Sequence, residues 1–266
     1  MSFIKNSFLI IIIGFVISGS YVQADISPDL LKGMKARSIG PAVTSGRMTA
    51  LDVVTSNIKI MYAATASGGV WKSNDEGLTW KPIFDDQPVA SIGSIAINQQ
   101  NPDIVWVGTG EGNTRNTTSI GGGVFKSMDA GNTWVFMGLG ESERINRIAL
   151  HPTNPDIAYV AAGGKLWGPN NERGIYKTTD GGKTWNSILY VNEDTGATDI
   201  KIDPSNPHKL FAAMWQFRRT PYSFTSKGPG SGLYVSHDGG DNWNRFEEED
   251  GMPKGDLGKM VVSISP

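Results

Sequence analysis

One eight-residue pattern occurs four times and constrains the fold more than any other feature of the chain. The copies are Ser73-Asn74-Asp75-Glu76-Gly77-Leu78-Thr79-Trp80, Ser127-Met128-Asp129-Ala130-Gly131-Asn132-Thr133-Trp134, Thr178-Thr179-Asp180-Gly181-Gly182-Lys183-Thr184-Trp185 and Ser236-His237-Asp238-Gly239-Gly240-Asp241-Asn242-Trp243. The consensus is Ser/Thr-x-Asp-x-Gly-x-Thr-Trp, with Asn242 in place of threonine as the one departure. Successive tryptophans lie 54, 51 and 58 residues apart, a spacing that belongs to repeat folds. Each copy reads as a tight turn between strands, because a short acidic side chain accepts hydrogen bonds from the backbone just ahead while glycine takes a positive φ. Each tryptophan then reads as a plug between neighbouring units.

The flanks of the turns are strands. Gly69-Val70-Trp71-Lys72, Gly123-Val124-Phe125-Lys126, Gly174-Ile175-Tyr176-Lys177 and Gly232-Leu233-Tyr234-Val235 precede them with the period-two, aromatic-rich pattern of a sheet. A second element recurs upstream, as Ile95–Trp106, Ile148–Tyr159 and Ile200–Phe211, each an apolar strand, an Asn-Pro turn and another strand. Four short strands per unit of this length predict a blade, so the fold class expected is all-β, a propeller of four-stranded antiparallel blades. Four boxes predict an open arc of about four blades, and Lys259–Pro266 repeats the opening strand of a fifth. The remaining blades of the same propeller are then the nearest partners of this one, because open blades leave strand edges unpaired.

The ends and the composition bound the setting. Lys5, the apolar run Phe8–Ile17 and Val22-Gln23-Ala24 read as a secretory signal peptide over residues 1–24, the run being shorter than the roughly 20 residues a spanning helix needs. Residues 25–266 are expected to form the propeller, exported to a bacterial periplasm or exterior, with no membrane span after signal removal. The chain contains no cysteine, so packing and not disulfides must hold it. Lys plus Arg (24) nearly balances Asp plus Glu (26), and no basic stripe is interleaved with aromatics, so nucleic acid is not expected as a partner. His151, His208 and His237 all fall in repeat turns with no second ligand at metal spacing, so neither metal nor cofactor is expected.

These motifs resemble the Asp-box, or BNR-repeat, propellers, and within them the sortilin-like bacterial group. The resemblance covers nearly all of the chain after the signal segment. It implies the architecture and leaves the activity open, because sialidases, xyloglucan-degrading hydrolases, sortilin-type receptors and photosystem assembly factors share the pattern. The xyloglucan-degrading hydrolases place a catalytic aspartate in a Tyr-Ala-Arg-Thr-Asp-x-Gly-Gly stretch. The matching stretch here is Tyr62-Ala63-Ala64-Thr65-Ala66-Ser67-Gly68-Gly69, with Ala66 at the aspartate position. A sialidase-like carboxylate clamp needs an arginine cluster, and Arg37, Arg47 and Arg115 match no such motif.

Strand reversal places the candidate site. The turns between strands one and two and between three and four must share one end of a blade, while the longer loops open at the other. The box residues Asp75, Asp129, Asp180 and Asp238, with Trp80, Trp134, Trp185 and Trp243, are therefore expected to be structural. Ligand binding is expected on the opposite face, at Glu111, Asn113, Arg115, Trp167, Arg173, Trp215, Arg218, Arg219 and Tyr222. Tryptophan and tyrosine there suit a sugar ring or a peptide; the alternative is that Trp167 and Trp215 fill space between blades. The reading is a propeller that binds a protein, peptide or glycan with no catalysis evident and no catalytic residue assigned. The alternative is a glycoside hydrolase of sialidase-like or xyloglucanase-like type, its site completed by further blades, for which Glu111, Asp52 and Glu172 are the carboxylates to weigh.

Overall fold

The computed structural model describes residues 47–265. The signal peptide expected over residues 1–24 and Arg37 lie outside them. Four sheets follow one another along the chain. The first holds β1 (Met48–Val53), β2 (Met61–Thr65), β3 (Val70–Ser73) and β4 (Lys81–Pro82), and the second β5 (Ile92–Ile97), β6 (Val105–Thr109), β7 (Val124–Ser127) and β8 (Val135–Phe136). The third holds β9 (Ile145–Leu150), β10 (Ala158–Ala162), β11 (Gly174–Thr178) and β12 (Asn186–Leu189). The fourth begins with β13 (Thr195–Asp203) and β14 (Asn206–Gln216), inserts a hairpin of β15 (Arg218–Arg219) and β16 (Phe224–Thr225), and ends with β17 (Gly232–Ser236) and β18 (Asn244–Arg245). Every pairing within the sheets is antiparallel, in the up-and-down order of propeller blades. One turn departs from expectation. Strand β14 begins at Asn206, so Asn206-Pro207 lies within a strand and the bend is Pro204-Ser205, where Asp203 accepts bonds from the Ser205 amide and hydroxyl.

The core lies between blades. One cluster joins Tyr62, Ala64 and Val70 of the first blade to Ile95, Val105 and Phe125 of the second. A second joins Trp106 and Val124 to Ile145, Ile148 and Val160, and a third joins Tyr159 and Ile175 to Ile200, Leu210 and Met214. First strands lie side by side: the Ile97 amide donates to Asp52 and the Ile148 amide to Ser94. All four first strands also carry a bulge near their start, at Thr49, Gly93, Asn146 and Thr198. Such a bulge re-aims the extra residue, here toward the next blade. Asn146 donates to the Ala197 carbonyl, and Thr198 donates to that of Met260. The Val262 amide likewise donates to Asp199, so residues 260–262 lie along β13 where a next first strand belongs.

The boxes close one end of every blade. Asp129 accepts from the Ser127 hydroxyl at 2.7 Å, the Thr133 amide at 2.8 Å and the Thr133 hydroxyl at 2.6 Å; Asp75 and Asp180 repeat this set, and at Asp238 the Asn242 side-chain amide replaces the threonine hydroxyl. Each box also bonds back to the first turn of its own blade, through Glu76 to Lys59, Ala130 to Asp103, Gly181 to Asp156 and Gly239 to His208. Boxes and first turns therefore share one face. A lysine latch then joins blade to blade. Lys72 and Tyr62 both donate to the Ala130 carbonyl, Lys126 donates to that of Gly181, and Lys177 and Tyr159 donate to that of Gly239. Each latch lysine sits over an aromatic ring of its own blade, Lys126 at 4.5 Å from the Trp106 centroid. Of the box tryptophans, Trp134 and Trp185 donate to carbonyls of the preceding blade, at Ile83 and Met137, whereas Trp80 and Trp243 donate within their own boxes.

Candidate functional site

Opposite the boxes, the loops β2–β3, β6–β7, β10–β11 and the connections between blades form the second face. Glu111 follows β6 and is 1% exposed, its amide held by Ser91 Oγ at 3.0 Å. Its carboxylate is gripped on both oxygens by Arg47, with Arg115 at 3.7 Å. A carboxylate so paired ties the loops together. Next to it, Lys259 donates to the Gly112 carbonyl and Asn113 Oδ1 and lies over the Trp215 ring.

The remaining expected positions divide by burial. Trp215 is buried, stacked on Phe217 at 4.5 Å, and donates its ring N–H to Ser226. Arg173 is also buried, donating to the carbonyls of Gly163 and Lys165, so it shapes the 163–173 loop from within. Arg218 pairs with Asp194, and Arg219 bonds Asn116 of the 109–121 loop. Only Trp167 and Tyr222 present open aromatic surface: Trp167 is 45% exposed and bridged to Arg219, while Tyr222 is 98% exposed at the hairpin tip. Asp52 belongs to neither group. Its two oxygens accept the Val53 and Ile97 amides at the far end of β1, beside the first turn and away from the loop face. Burial raises its carboxyl, and those amides oppose the rise. Ala66 is buried under Arg47, whose carbonyl accepts its amide.

Two pockets lie on either side of the 163–173 loop. The larger, about 420 Å³, is lined by Glu141, Pro169, Asn170, Asn171, Glu172 and Glu193. The Asn170 backbone and side chain donate to the carbonyls of Glu193 and Glu141, fixing three loops around it. Burial raises the Glu172 carboxyl, the Glu141 charge adds to the rise, and the Ser142 amide and Lys165 oppose it. One Glu172 oxygen is buried with no hydrogen-bond partner. Glu141 is exposed and paired with Lys165 at 3.2 Å. The pocket thus holds a carboxyl raised by burial, Glu172, beside a lysine-paired one, Glu141.

The smaller pocket is lined by Thr118, Ser119, Ile120, Glu143, Arg144, Leu166 and Trp167. Arg144 is 4% exposed, and its Nε donates to the Gly164 carbonyl at 3.0 Å. Neither of its terminal nitrogens has a partner. Sequence reasoning passed over Arg144, Glu141, Glu193 and Lys259. The available signal was the charged connection Glu141-Ser142-Glu143-Arg144, which lies between two blades; the corresponding connections carry Asp85-Asp86 and Glu193-Asp194 and no arginine. Among the described residues no group of three or more His, Asp or Glu side chains is placed to hold a metal ion, and His151 accepts the Thr153 and Asn154 amides within its own turn.

Comparison with known proteins places these features in context. The family model described as sortilin, neurotensin receptor 3 matches residues 122–252, just under half of the chain and three of its four boxes. Among curated proteins, an oligoxyloglucan-reducing end-specific xyloglucanase of Emericella nidulans is 25% identical over 218 residues, covering 76% of this chain and 24% of that protein. A xyloglucanase of Acetivibrio thermocellus is 23% identical over 263 residues, covering 81% and 29%. Among solved structures, an ancestral GH74 enzyme superposes with a TM-score of 0.59 at 19% identity, covering 78% of this chain and 26% of that one. The GH74 enzyme of Niastella koreensis gives 0.55 at 22% identity, covering 73% and 28%. These likenesses establish the propeller fold, and the chain spans about a quarter of the length of the curated relatives it matches.

Proposed function

We propose that this chain is part of an exported, glycan-directed propeller of glycoside-hydrolase type, working at the face opposite the boxes, with further blades completing the ring. The observation that carries this reading is the Glu172–Glu141 pocket. Glycoside hydrolysis needs one carboxyl that remains protonated to deliver a proton to the leaving oxygen, and one ionised carboxylate to activate water or attack. Glu172, raised by burial and by its acidic neighbour, suits the first role. Glu141 lines the same pocket, paired with Lys165, and is the carboxyl left for the second. A pocket of about 420 Å³ falls within the size that takes a small ligand. The xyloglucanase relatives support a glycan as the class of ligand.

Ala66 favours a second reading. An alanine neither transfers a proton nor stabilises a developing cation, so if the Glu172 pocket does no chemistry the protein is a glycan binder without turnover. The deciding experiment is reducing-end release by the full-length protein across a polysaccharide panel, beside Glu172→Gln. Hydrolysis that Glu172→Gln lowers at least about 100-fold, the usual scale for loss of a general acid, supports the hydrolase. Activity in the wild type should also fall as pH rises through the raised Glu172 value, because the acid form is lost there. Turnover unchanged in Glu172→Gln contradicts the assignment, and binding without turnover selects the second reading.

A further inference from the structure

We propose that His151 makes the box end of the third blade acid-sensitive: its neutral ring holds the first turn of that blade closed, and protonation releases the turn. The inference is independent of what the loop face binds. The backbone marks equivalent positions in the first turns, since the amides of Val54, Asn98 and His151 donate to the carbonyls of Ile60, Ile104 and Ile157. Asp203, paired with Asn206, holds that place in the fourth blade. Three of the four positions carry a side-chain acceptor. Asn98 Oδ1 accepts the Gln100 and Asn101 amides at 2.9 and 3.1 Å, and Asp203 Oδ1 accepts the Ser205 amide at 2.9 Å. In the third blade the acceptor is His151 Nδ1, which takes the Thr153 amide at 3.2 Å and the Asn154 amide at 3.1 Å. Backbone amides only donate, so Nδ1 must be bare and the proton of the neutral ring sits on Nε2. An amide oxygen accepts at any pH, whereas an imidazole nitrogen accepts only while it is unprotonated.

The surroundings give the imidazolium no support. From the second blade the neighbour is Gln100, uncharged, whose side chain donates to the Pro152 carbonyl at 2.8 Å. From the fourth blade it is His208, and from β11 it is Lys177. Burial, then His208, then Lys177 lower the pKa of His151. Asp156, the carboxylate of the turn itself, faces Lys126 across Gly181. Among the described residues no carboxylate lies within ion-pair distance of the His151 ring. The same few residues also carry the seam to the fourth blade: Lys177 donates to the Gly239 carbonyl at 2.8 Å and pairs with Asp241 at 3.5 Å, while the Gly239 amide donates to the His208 carbonyl. Acid therefore acts twice here. It takes the acceptor away from two amides, and it sets a new positive charge beside the latch lysine. The turn is tied to its own box as well, through the Gly181 amide and the Asp156 carbonyl at 3.0 Å, so its release reaches the box that receives Lys126 from the second blade.

The folded value lies below the 6.5 of a free imidazole, so the stabilisation is complete above about pH 6.5 and is lost as pH falls through the lowered value. The test is hydrogen–deuterium exchange on the full-length protein at about pH 7.5 and about pH 5, corrected for the intrinsic pH dependence of exchange. Protection of residues 151–157 should fall on the order of fivefold at the lower pH, the scale of one net hydrogen bond, while residues 98–104, capped by Asn98, should not change. His151→Asn gives the third blade the cap of the second, and should keep the protection of 151–157 at both pH values. His208→Gln removes a neighbouring charge and should move the wild-type transition to higher pH. Equal protection of 151–157 at the two pH values in the wild type overturns the inference. So does a fall that His151→Asn shares, or one matched by residues 98–104, because the titrating group is then not His151.

Discussion

At the scale of single residues, the box aspartates show how an exposed carboxylate becomes structural. The hydroxyl and amide of the following threonine, then the preceding serine hydroxyl, hold Asp75 and Asp129 down to about 2; Thr184 with Thr178 holds Asp180 lower still, and the Asn242 side chain and amide with Ser236 do the same for Asp238. A free aspartate titrates near ~3.9. The folded value is depressed, so the stabilisation is fully present above about pH 4 and is lost as pH falls through about 2. Urea unfolding at stepped pH should therefore show stability falling from about pH 4 downward, and Thr133→Val, which removes the largest cause at Asp129, should make that fall shallower. An acid limb unmoved by Thr133→Val would contradict this. The box glycines are equally specific. Gly182 has a φ of +98°, and a Cβ there would meet Trp106 at 2.6 Å, so Gly182→Ala should cost at least about 1–3 kcal/mol from the backbone alone, read as a lowered urea midpoint. Residues of the loop face were harder to read. Arg173 stands in an irregular segment with no period to say which way its side chain points, and Trp215, expected in a loop, falls in β14; the structure turns both inward. Glu111 was legible as a loop carboxylate, but its clasp by Arg47 spans 64 residues of sequence.

At the scale of elements, the blades are joined by a lysine on the third strand that reaches the next box. The contact combines a charged hydrogen bond to a carbonyl with a cation over an aromatic ring. Lys126→Met keeps the aliphatic stem, removes the donor, and should lower stability by about 1–3 kcal/mol, measured by urea unfolding of the same protein; a loss under a few tenths would show the latch to be incidental. The fourth blade departs from the rule. Val235 stands where Lys72, Lys126 and Lys177 stand in the others, and Phe211 stands where Tyr62, Trp106 and Tyr159 do, so its junction to residues 260–262 uses the first-strand bonds of Thr198 and Asp199 instead. The strands and boxes were legible because period-two alternation and a repeated turn are local signals. The latches and bulges were not, because each depends on which side chain of one blade meets which carbonyl of the next. Blade four also shows the limit of motif reading: its Asn206-Pro207 matches the turn of the other repeats, yet the Ser205 bonds to Asp203 tighten the bend and draw it into β14.

At the scale of the whole molecule, two ends of one scaffold divide the work. The box end is repetitive and self-satisfied, each aspartate and glycine committed to its own turn or the neighbouring blade. The loop end is non-repetitive and, among the described residues, holds unpartnered groups that include one oxygen of Glu172 and both terminal nitrogens of Arg144, with the open rings of Trp167 and Tyr222. Polar groups left unpaired at one end of an otherwise satisfied fold are where a ligand finds partners. The division is tested most directly by hydrogen–deuterium exchange on the full-length protein, with and without a saturating oligosaccharide from the polymer it binds. Protection is expected to be confined to residues 109–121, 140–144 and 163–173, with the four boxes unchanged. Protection at the boxes and first turns, with those loops unchanged, would contradict it.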